Sequence, residues 1–236
     1  MQKKPLLIAV EGADKSGKRT QVLEICKYLE SRGIPVETID FPRYNRSPWG
    51  DMAAAYLRGE YGEVMDIPAE YKMLPYALDR ADFQAQLRSF LDAGKWVVFD
   101  RYAYSNLFSV AQNPPELWDE KIRYLETLEF DWLNIMRSDH NIYLALDAKI
   151  SHSLRNTALK DYQKQQANLD IHERNLDLLA SVAKAYHYVA ARDPAHWTVI
   201  NQMQPDGSRM TISEVSAVIF KQIDKLIDAN QQDKLI

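Results

Sequence analysis

The segment with the clearest chemical meaning lies near the N-terminus, where two glycines and a lysine follow the spacing G-x4-G-K. The segment consists of Gly12, Ala13, Asp14, Lys15, Ser16, Gly17, Lys18, Arg19 and Thr20. Glycines at both ends allow successive backbone N–H groups to surround a phosphate, and Lys18 adds a mobile positive charge. An apolar run precedes the segment and a helical pattern follows it, as the motif requires. The pattern therefore predicts a phosphate-binding loop rather than an ordinary glycine turn.

One position of this loop departs from the usual motif. Arg19 stands where a Ser or Thr hydroxyl normally meets Mg²⁺, and Thr20 comes one residue late, so it points elsewhere on the helix. An arginine cannot bind a cation. We therefore expect a magnesium ion to depend on carboxylates and phosphate oxygens.

A second polar pair, Asp100 and Arg101, directly follows the apolar run 95–99. In open α/β folds, ligands bind at the carboxyl ends of the strands. A carboxylate at this edge can hold Mg²⁺ or its water, and an arginine can bind a phosphate through two hydrogen bonds. Alone, the pair would be read as a surface ion pair; beside a phosphate loop, it predicts part of a site.

An aromatic residue and an arginine, Tyr76 and Arg80, are four residues apart in a helical pattern and share one helix face. Tyr76 could stack on a base while Arg80 hydrogen-bonds the edge of that base. Spacing alone leaves two other readings open. Tyr76 could belong to the core, and Arg80 could form solvated ion pairs with Asp79 and Asp82.

The elements that must position these residues alternate along the chain. Apolar runs at 5–11, 36–41, 95–99 and 141–146, and a weaker one at 197–201, predict strands, with helical patterns between them. This order predicts one α/β domain over 1–236, with a P-loop NTPase fold and a parallel five-stranded sheet that carries helices on both faces. Thr211 and Glu214 form a capping box for the last helix. Residues 230–236 are expected to be frayed.

Composition limits the classes of protein that fit. The 236 residues include 33 acidic and 29 basic side chains, a balance that argues against general nucleic-acid binding. A single cysteine, Cys26, excludes an internal disulfide. The first apolar run meets Glu11 too early for a signal peptide or a membrane span. We expect a cytoplasmic protein without nucleic-acid or membrane partners.

The stretch 155–170 is the least apolar part of the chain. By composition it fits a solvated helix, since charged runs usually form exposed faces. Its place between the fourth strand and the following helix instead suits a lid over the site.

Four separate blocks, EGADKSGKRT, FPRY, YALDR and DRYAYSN, occur in this order. Together they resemble the thymidylate kinase family, in particular its actinobacterial branch, from about residue 6 to about residue 190. The resemblance implies transfer of a phosphoryl group from ATP to dTMP with Mg²⁺, a lid over 155–170 and a homodimer. The apolar stretch 73–91 is a candidate dimer surface, unless it belongs to the core.

The resemblance also implies roles for individual residues. Catalytic roles fall on Asp14, Lys18, Asp100 and Arg101. Arg155 joins the loop residues 12–20 in ATP binding. The substrate residues are Asp14, Phe41, Tyr44, Tyr76, Arg80, Arg101, Asn106 and Asp170, with Tyr76 stacking on thymine and Asn106 reading the ring N–H. The metal residues are Asp14, Asp100, Asp170 and Glu173. His172 and Ser109 depart from the family, which often has tyrosine at these two positions.

Two other functions remain compatible with these residues. A deoxynucleoside kinase, or a kinase of another nucleoside monophosphate, would share the fold, although a nucleoside has no phosphate for Tyr44 and Arg101 to hold. A nucleotide-binding regulatory protein without turnover would explain Arg19 and a stretch 155–170 with a single arginine.

Overall fold

Five parallel strands form one sheet in the order β2-β3-β1-β4-β5. The computed structural model of the chain describes residues 4–62, 66–146, 150 and 176–232. The strands are β1 (Leu7–Gly12), β2 (Val36–Asp40), β3 (Trp96–Asp100), β4 (His140–Ala145) and β5 (Trp197–Asn201). All five predicted strands are confirmed, with boundaries that shift by no more than two residues.

Helices connect the strands. They are α1 (Lys18–Ser31), α2 (Pro48–Leu57), α3 (Ala69–Asp92), α4 (Leu107–Val110), α5 (Trp118–Glu126), α6 (Leu176–Arg192) and α7 (Ile212–Gln232). Short 3₁₀ turns at Ala103–Asn106 and Pro115–Leu117 precede α4 and α5, and a π-helical turn at Thr127–Trp132 follows α5.

Both faces of the sheet are covered. On one face, Ile8 and Val10 of β1 pack with apolar side chains of α1 and α7. On the opposite face, Leu7 and Ala9 pack with α3, while Tyr143 of β4 packs with α5 and α6. Burial on both faces explains why the inner strands β1, β3 and β4 read as mainly apolar runs instead of alternating ones. The predicted P-loop NTPase fold with a five-stranded parallel sheet is confirmed.

β1 lies at the centre of the sheet, and all six of its residues are buried. It pairs with β3 on one side and β4 on the other. Val10 lies opposite Asp100 in the register, so the end of β3 lies beside the start of the phosphate loop. Parallel pairing thus brings two distant polar segments to one edge of the sheet.

The capping box that begins α7 is confirmed. Glu214 accepts hydrogen bonds from the Thr211 backbone N–H at 2.7 Å and hydroxyl at 2.8 Å, and the Thr211 hydroxyl accepts one from the Glu214 N–H at 3.2 Å. The sequence predicts fraying from about residue 230, and residues 233–236 lie outside the described part of the chain. The helix continues to Gln232, and Asn230 Nδ2 donates to the Lys4 carbonyl at 2.7 Å.

None of the helices in the described ranges is long and apolar enough to cross a membrane. The predicted lid at 155–170 lies outside the described residues.

Candidate functional site

The phosphate loop has a backbone that only glycine allows at its two ends. Gly12 has φ 152°, and a Cβ there would lie 2.8 Å from Ser16 Oγ and 2.9 Å from the Leu144 carbonyl oxygen. Gly17 has φ 89° at the start of α1. Lys15, between them, also has a positive φ of 61°, which costs a non-glycine residue energy. The loop therefore holds a compact conformation that needs support from its surroundings.

Positive charge is concentrated at this loop. Lys18 is 7% exposed, and its Nζ donates to the Ala13 carbonyl at 2.8 Å and lies 3.8 Å from Asp14. Burial and the nearby Arg101 charge lower the pKa of Lys18 to about 8. An anion bound in the loop would offset both effects, so the lysine is suited to meet a phosphate.

Asp100 and Arg101 lie where β3 ends, beside the phosphate loop. Arg101 donates through Nη1 to the Gly12 carbonyl at 3.0 Å and pairs through Nη2 with Asp14. Burial lowers the pKa of Arg101, but the negative groups around it, Asp14 first among them, together outweigh this effect and the net shift is upward. Burial also raises the pKa of Asp100, against the opposing charges of Lys18 and Arg101. Four predicted residues, Asp14, Lys18, Asp100 and Arg101, thus form one cluster.

A buried glutamate, Glu11, supports the backbone next to this cluster, and its role was not predicted from the sequence. Glu11 is 0% exposed and accepts hydrogen bonds from the Tyr102 backbone N–H at 2.9 Å, Ser105 Oγ at 2.6 Å and Tyr186 Oη at 2.9 Å. These bonds hold the chain directly after Arg101, whose φ of 70° is unusual for a residue with a side chain. Only its place one residue before the loop could have drawn attention to Glu11.

The FPRY segment after β2 is anchored through Arg43. Its backbone N–H and its Nε donate to Asp79 at 2.7 and 3.0 Å, and its Nη2 also pairs with Asp82. Gly50 of α2 touches this segment so closely that a Cβ would lie 2.4 Å from the Arg43 carbonyl oxygen. Asp79 and Asp82 therefore pair with Arg43 and not with Arg80.

The predicted residues of this segment differ in exposure. Phe41 is 5% exposed and packs against the rings of Phe83, Phe99 and Tyr102 with centroid distances of 5.8, 6.0 and 5.9 Å. Tyr44 is 39% exposed. The segment thus presents Tyr44, not Phe41, to solvent.

Tyr76 lies in an aromatic group on α3. It is 9% exposed, with Phe108 edge-on at 5.5 Å and Tyr56 edge-on at 6.4 Å. Such aromatic pairs occur both in cores and at interfaces. The packing is therefore compatible with both a core residue and a stacking partner.

Arg80 is part of a buried polar triad with Glu129 and Asn106. Arg80 donates to Glu129 through Nε at 3.0 Å and also through Nη2, and Asn106 Nδ2 donates to Glu129 at 2.7 Å. Arg80 is 1% exposed and the other two are 0% exposed. The alternative of a solvated pair of Arg80 with Asp79 and Asp82 is thus wrong. Glu129 was not found from the sequence.

The triad leaves one acceptor unused. Asn106 Nδ2 is committed to Glu129, which fixes the orientation of the amide, and Asn106 Oδ1 is buried without a hydrogen-bond partner in the part of the chain that the structure describes. A buried polar atom without a partner is uncommon and marks a place for a donor. Asn106 can therefore accept a hydrogen bond from a ligand.

The described residues can supply two carboxylates to a cation at the phosphate loop, Asp14 and Asp100. No group of three His, Cys, Asp or Glu residues suited to a metal occurs among them. Two carboxylates would suffice for Mg²⁺, which keeps several waters and needs only one or two of them beside phosphate oxygens. Arg19 is exposed. Arg155, Asp170, His172 and Glu173 lie outside the described residues.

Several known proteins similar to this chain are thymidylate kinases. The thymidylate kinase family model matches residues 10–208. A thymidylate kinase of Mycobacterium tuberculosis is 30% identical over 83% of this chain and 91% of its own length. One of Bifidobacterium longum is 30% identical over 94% of this chain and 98% of its own.

A solved thymidylate kinase of Candida albicans has a TM-score of 0.68 and 21% identity, covering 98% of this chain and 95% of that one. At that identity the likeness shows the fold. The family-model match and the relatives at 30% identity show more than the fold. The chain belongs to the thymidylate kinase family.

Proposed function

We propose that the protein transfers the γ-phosphoryl group of ATP to dTMP, giving ADP and dTDP. The observation that supports thymine as the base is the unused acceptor Asn106 Oδ1 beside the buried Arg80 guanidinium. Thymine presents an N–H donor at N3 next to a carbonyl acceptor at C4. An amide oxygen and an arginine donor complement this pair.

Arg80 can serve the base while it remains paired. A guanidinium has five N–H donors, and Glu129 accepts from Nε and Nη2. The remaining donors include the whole of Nη1. Glu129 therefore sets the orientation of both Arg80 and Asn106, and Tyr76, one turn before Arg80 on α3, would stack on the base. Cytosine reverses the pattern, with an acceptor at N3 and an amino donor at C4.

The transfer itself needs positioning and charge. Lys18 and the N–H groups of the loop bind the donor phosphates, and Arg101 with Tyr44 holds the acceptor phosphate. Asp14 and Asp100 would hold Mg²⁺, which neutralises charge on the phosphates when bound. The family's donor is ATP. No protein nucleophile takes part.

The test is a coupled ADP-release assay with dTMP, dCMP, dGMP and thymidine as acceptors. We expect turnover with dTMP and at least about a thousandfold lower kcat/KM with dCMP, because the wrong base leaves buried polar groups unpaired. Lys18→Ala is the matched negative control and should reduce turnover with dTMP by orders of magnitude.

Other results would favour the other functions. Turnover of thymidine without turnover of dTMP would indicate a deoxynucleoside kinase, and dGMP turnover comparable with dTMP would refute the base-recognition model. Nucleotide binding without turnover of any acceptor would indicate a regulatory protein.

We further propose a cytoplasmic homodimer that uses one face of α3. Leu74, Leu78 and Ala81 are spaced at i, i+4 and i+7 on this helix and are only partly buried in the single chain. Light scattering during size-exclusion chromatography tests this. A dimer for the protein and a shift towards monomer for Leu78→Glu would support the proposal, whereas a monomer at all concentrations would refute it.

A further inference from the structure

We propose that Gln202 and Arg209 are positioning residues for ATP, which hold the phosphate loop by its outer carbonyl groups. This inference rests on the proposed function. Both residues belong to the segment between β5 and α7, more than 180 positions from the loop. They lie outside the G-x4-G-K pattern and outside the four blocks that resemble the family.

Gln202 reaches the loop with a side chain that is itself immobilised. The residue is 1% exposed, its N–H donates to the Ala145 carbonyl at 3.0 Å, and its carbonyl accepts from the Met210 N–H at 2.8 Å. Its side-chain Nε2 donates to the Ser16 carbonyl at 2.8 Å. The loop carbonyl is thus tied to the end of the sheet.

Arg209 fixes the orientation of the Gln202 side-chain amide and adds a second hydrogen bond to the loop. Its Nε and Nη2 donate to Gln202 Oε1 at 3.3 and 2.9 Å, and Nη2 also donates to the Lys15 carbonyl at 3.2 Å. Arginine is only a donor and a carbonyl only an acceptor, so Gln202 can satisfy both partners in one orientation. The two side chains therefore act as one unit on consecutive loop carbonyls.

Because the peptide bond is planar, a contact that holds a loop carbonyl also fixes the direction of the following N–H group. In a trans peptide the carbonyl and the following N–H point in opposite directions. The Lys15 carbonyl is held by Arg209, and the Ser16 N–H on the other side donates across the loop to Ala13 at 3.2 Å. The Ser16 carbonyl is held by Gln202, which turns the Gly17 N–H away from Gln202 and towards a bound phosphate.

The strain at Lys15 indicates why such support is needed. Lys15 has a positive φ of 61°, and non-glycine residues in such conformations persist only where the surroundings hold them. Glycine at 17 also gives the loop freedom to move. Without the two outer bonds, the loop would sample orientations in which its carbonyls, and not its N–H groups, face the phosphate.

The test compares variants in steady-state kinetics and in a direct titration with ATP by calorimetry in the absence of dTMP. Gln202→Glu keeps an acceptor for Arg209 but cannot donate to Ser16, and Arg209→Met removes all three hydrogen bonds of the guanidinium. Gln204→Ala is the matched control, because Gln204 lies on the same segment and donates to Glu214 and not to the loop.

We expect both variants to raise KM and Kd for ATP by about tenfold or more while KM for dTMP changes by less than about twofold, because each variant leaves a loop carbonyl without the donor that orients it. Tenfold corresponds to about 1.4 kcal/mol. Gln204→Ala should match the wild type, and Arg209→Lys should recover part of the loss. Unchanged ATP binding in Arg209→Met, or equal changes for both substrates, would overturn the proposal. An inactive wild type would instead refute the proposed function.

Discussion

The buried pair of Arg80 and Glu129 allows a prediction whose size follows from the structure. Glu129→Gln keeps the shape of the side chain, but it leaves the 1% exposed Arg80 guanidinium without its counter-charge. Breaking a buried pair from one side costs about 3–5 kcal/mol. In a chain of this length each kcal/mol lowers Tm by about 2–4 °C. The melting temperature should therefore fall by roughly 6–20 °C.

Thermal unfolding followed by circular dichroism measures the loss, and urea unfolding gives the free energy independently. Glu120→Gln is the control on α5, since the Glu120 side chain is 71% exposed and pairs with Lys121 at 3.6 Å. That change should cost less than about 1 kcal/mol. Melting of Glu129→Gln within about 2 °C of the wild type would refute the reasoning.

A double variant separates stability from recognition. Arg80→Met combined with Glu129→Leu removes both charges, and replacement of a buried pair by apolar groups is often neutral or stabilising. Most of the lost stability should return. KM for dTMP should stay raised, because no guanidinium remains for the thymine carbonyl. Recovery of both properties would assign Arg80 a purely structural role.

Three further predictions concern protons and the metal. With the pKa of Lys18 at about 8 in the free protein, kcat/KM for ATP should fall tenfold per pH unit above that value as the ammonium is lost; a profile flat to pH 10 would contradict this. Burial lowers the pKa of His140 to about 4 from 6.5, so the unfolded chain binds the proton first and stability should fall by about 3 kcal/mol as pH drops from 6.5 to 4. Urea unfolding of His140→Gln across this range should show a smaller fall. Arg19→Ser should leave the Mg²⁺ requirement unchanged and Asp14→Asn should raise the Mg²⁺ concentration for half-maximal rate, and the opposite pattern in an activity titration would count against the proposed carboxylate site.

Local patterns in the sequence predict the elements well because each depends on neighbours a few residues apart. The apolar runs predict all five strands, and the four-residue segment from Thr211 to Glu214 predicts the start of α7. The strands also place Asp100 and Arg101 beside the loop, since parallel strands end at one edge. These conclusions need no knowledge of which side chain meets which.

Polar partners far apart in sequence could not be predicted. Glu129 meets Arg80 across 49 positions, Glu11 meets Ser105 across 94, and Gln202 meets Ser16 across 186. No periodicity signals such contacts, and a buried glutamate looks like any surface glutamate in a sequence. For example, Asp79 and Asp82 are close to Arg80 in sequence and suggested ion pairs with it. In the structure both aspartates pair with Arg43 instead.

The central position of β1 also sets an order of events during synthesis on the ribosome. Leu7 pairs with Val97, and Ile8 pairs with His140, so the strand that begins the chain must wait for two strands made much later. At about 5–20 residues per second, the 133 residues from Ala13 to Ala145 take roughly 7–27 s to add. Through this interval β1 lacks its β4 neighbour, so the phosphate loop at its end does not yet have its final surroundings.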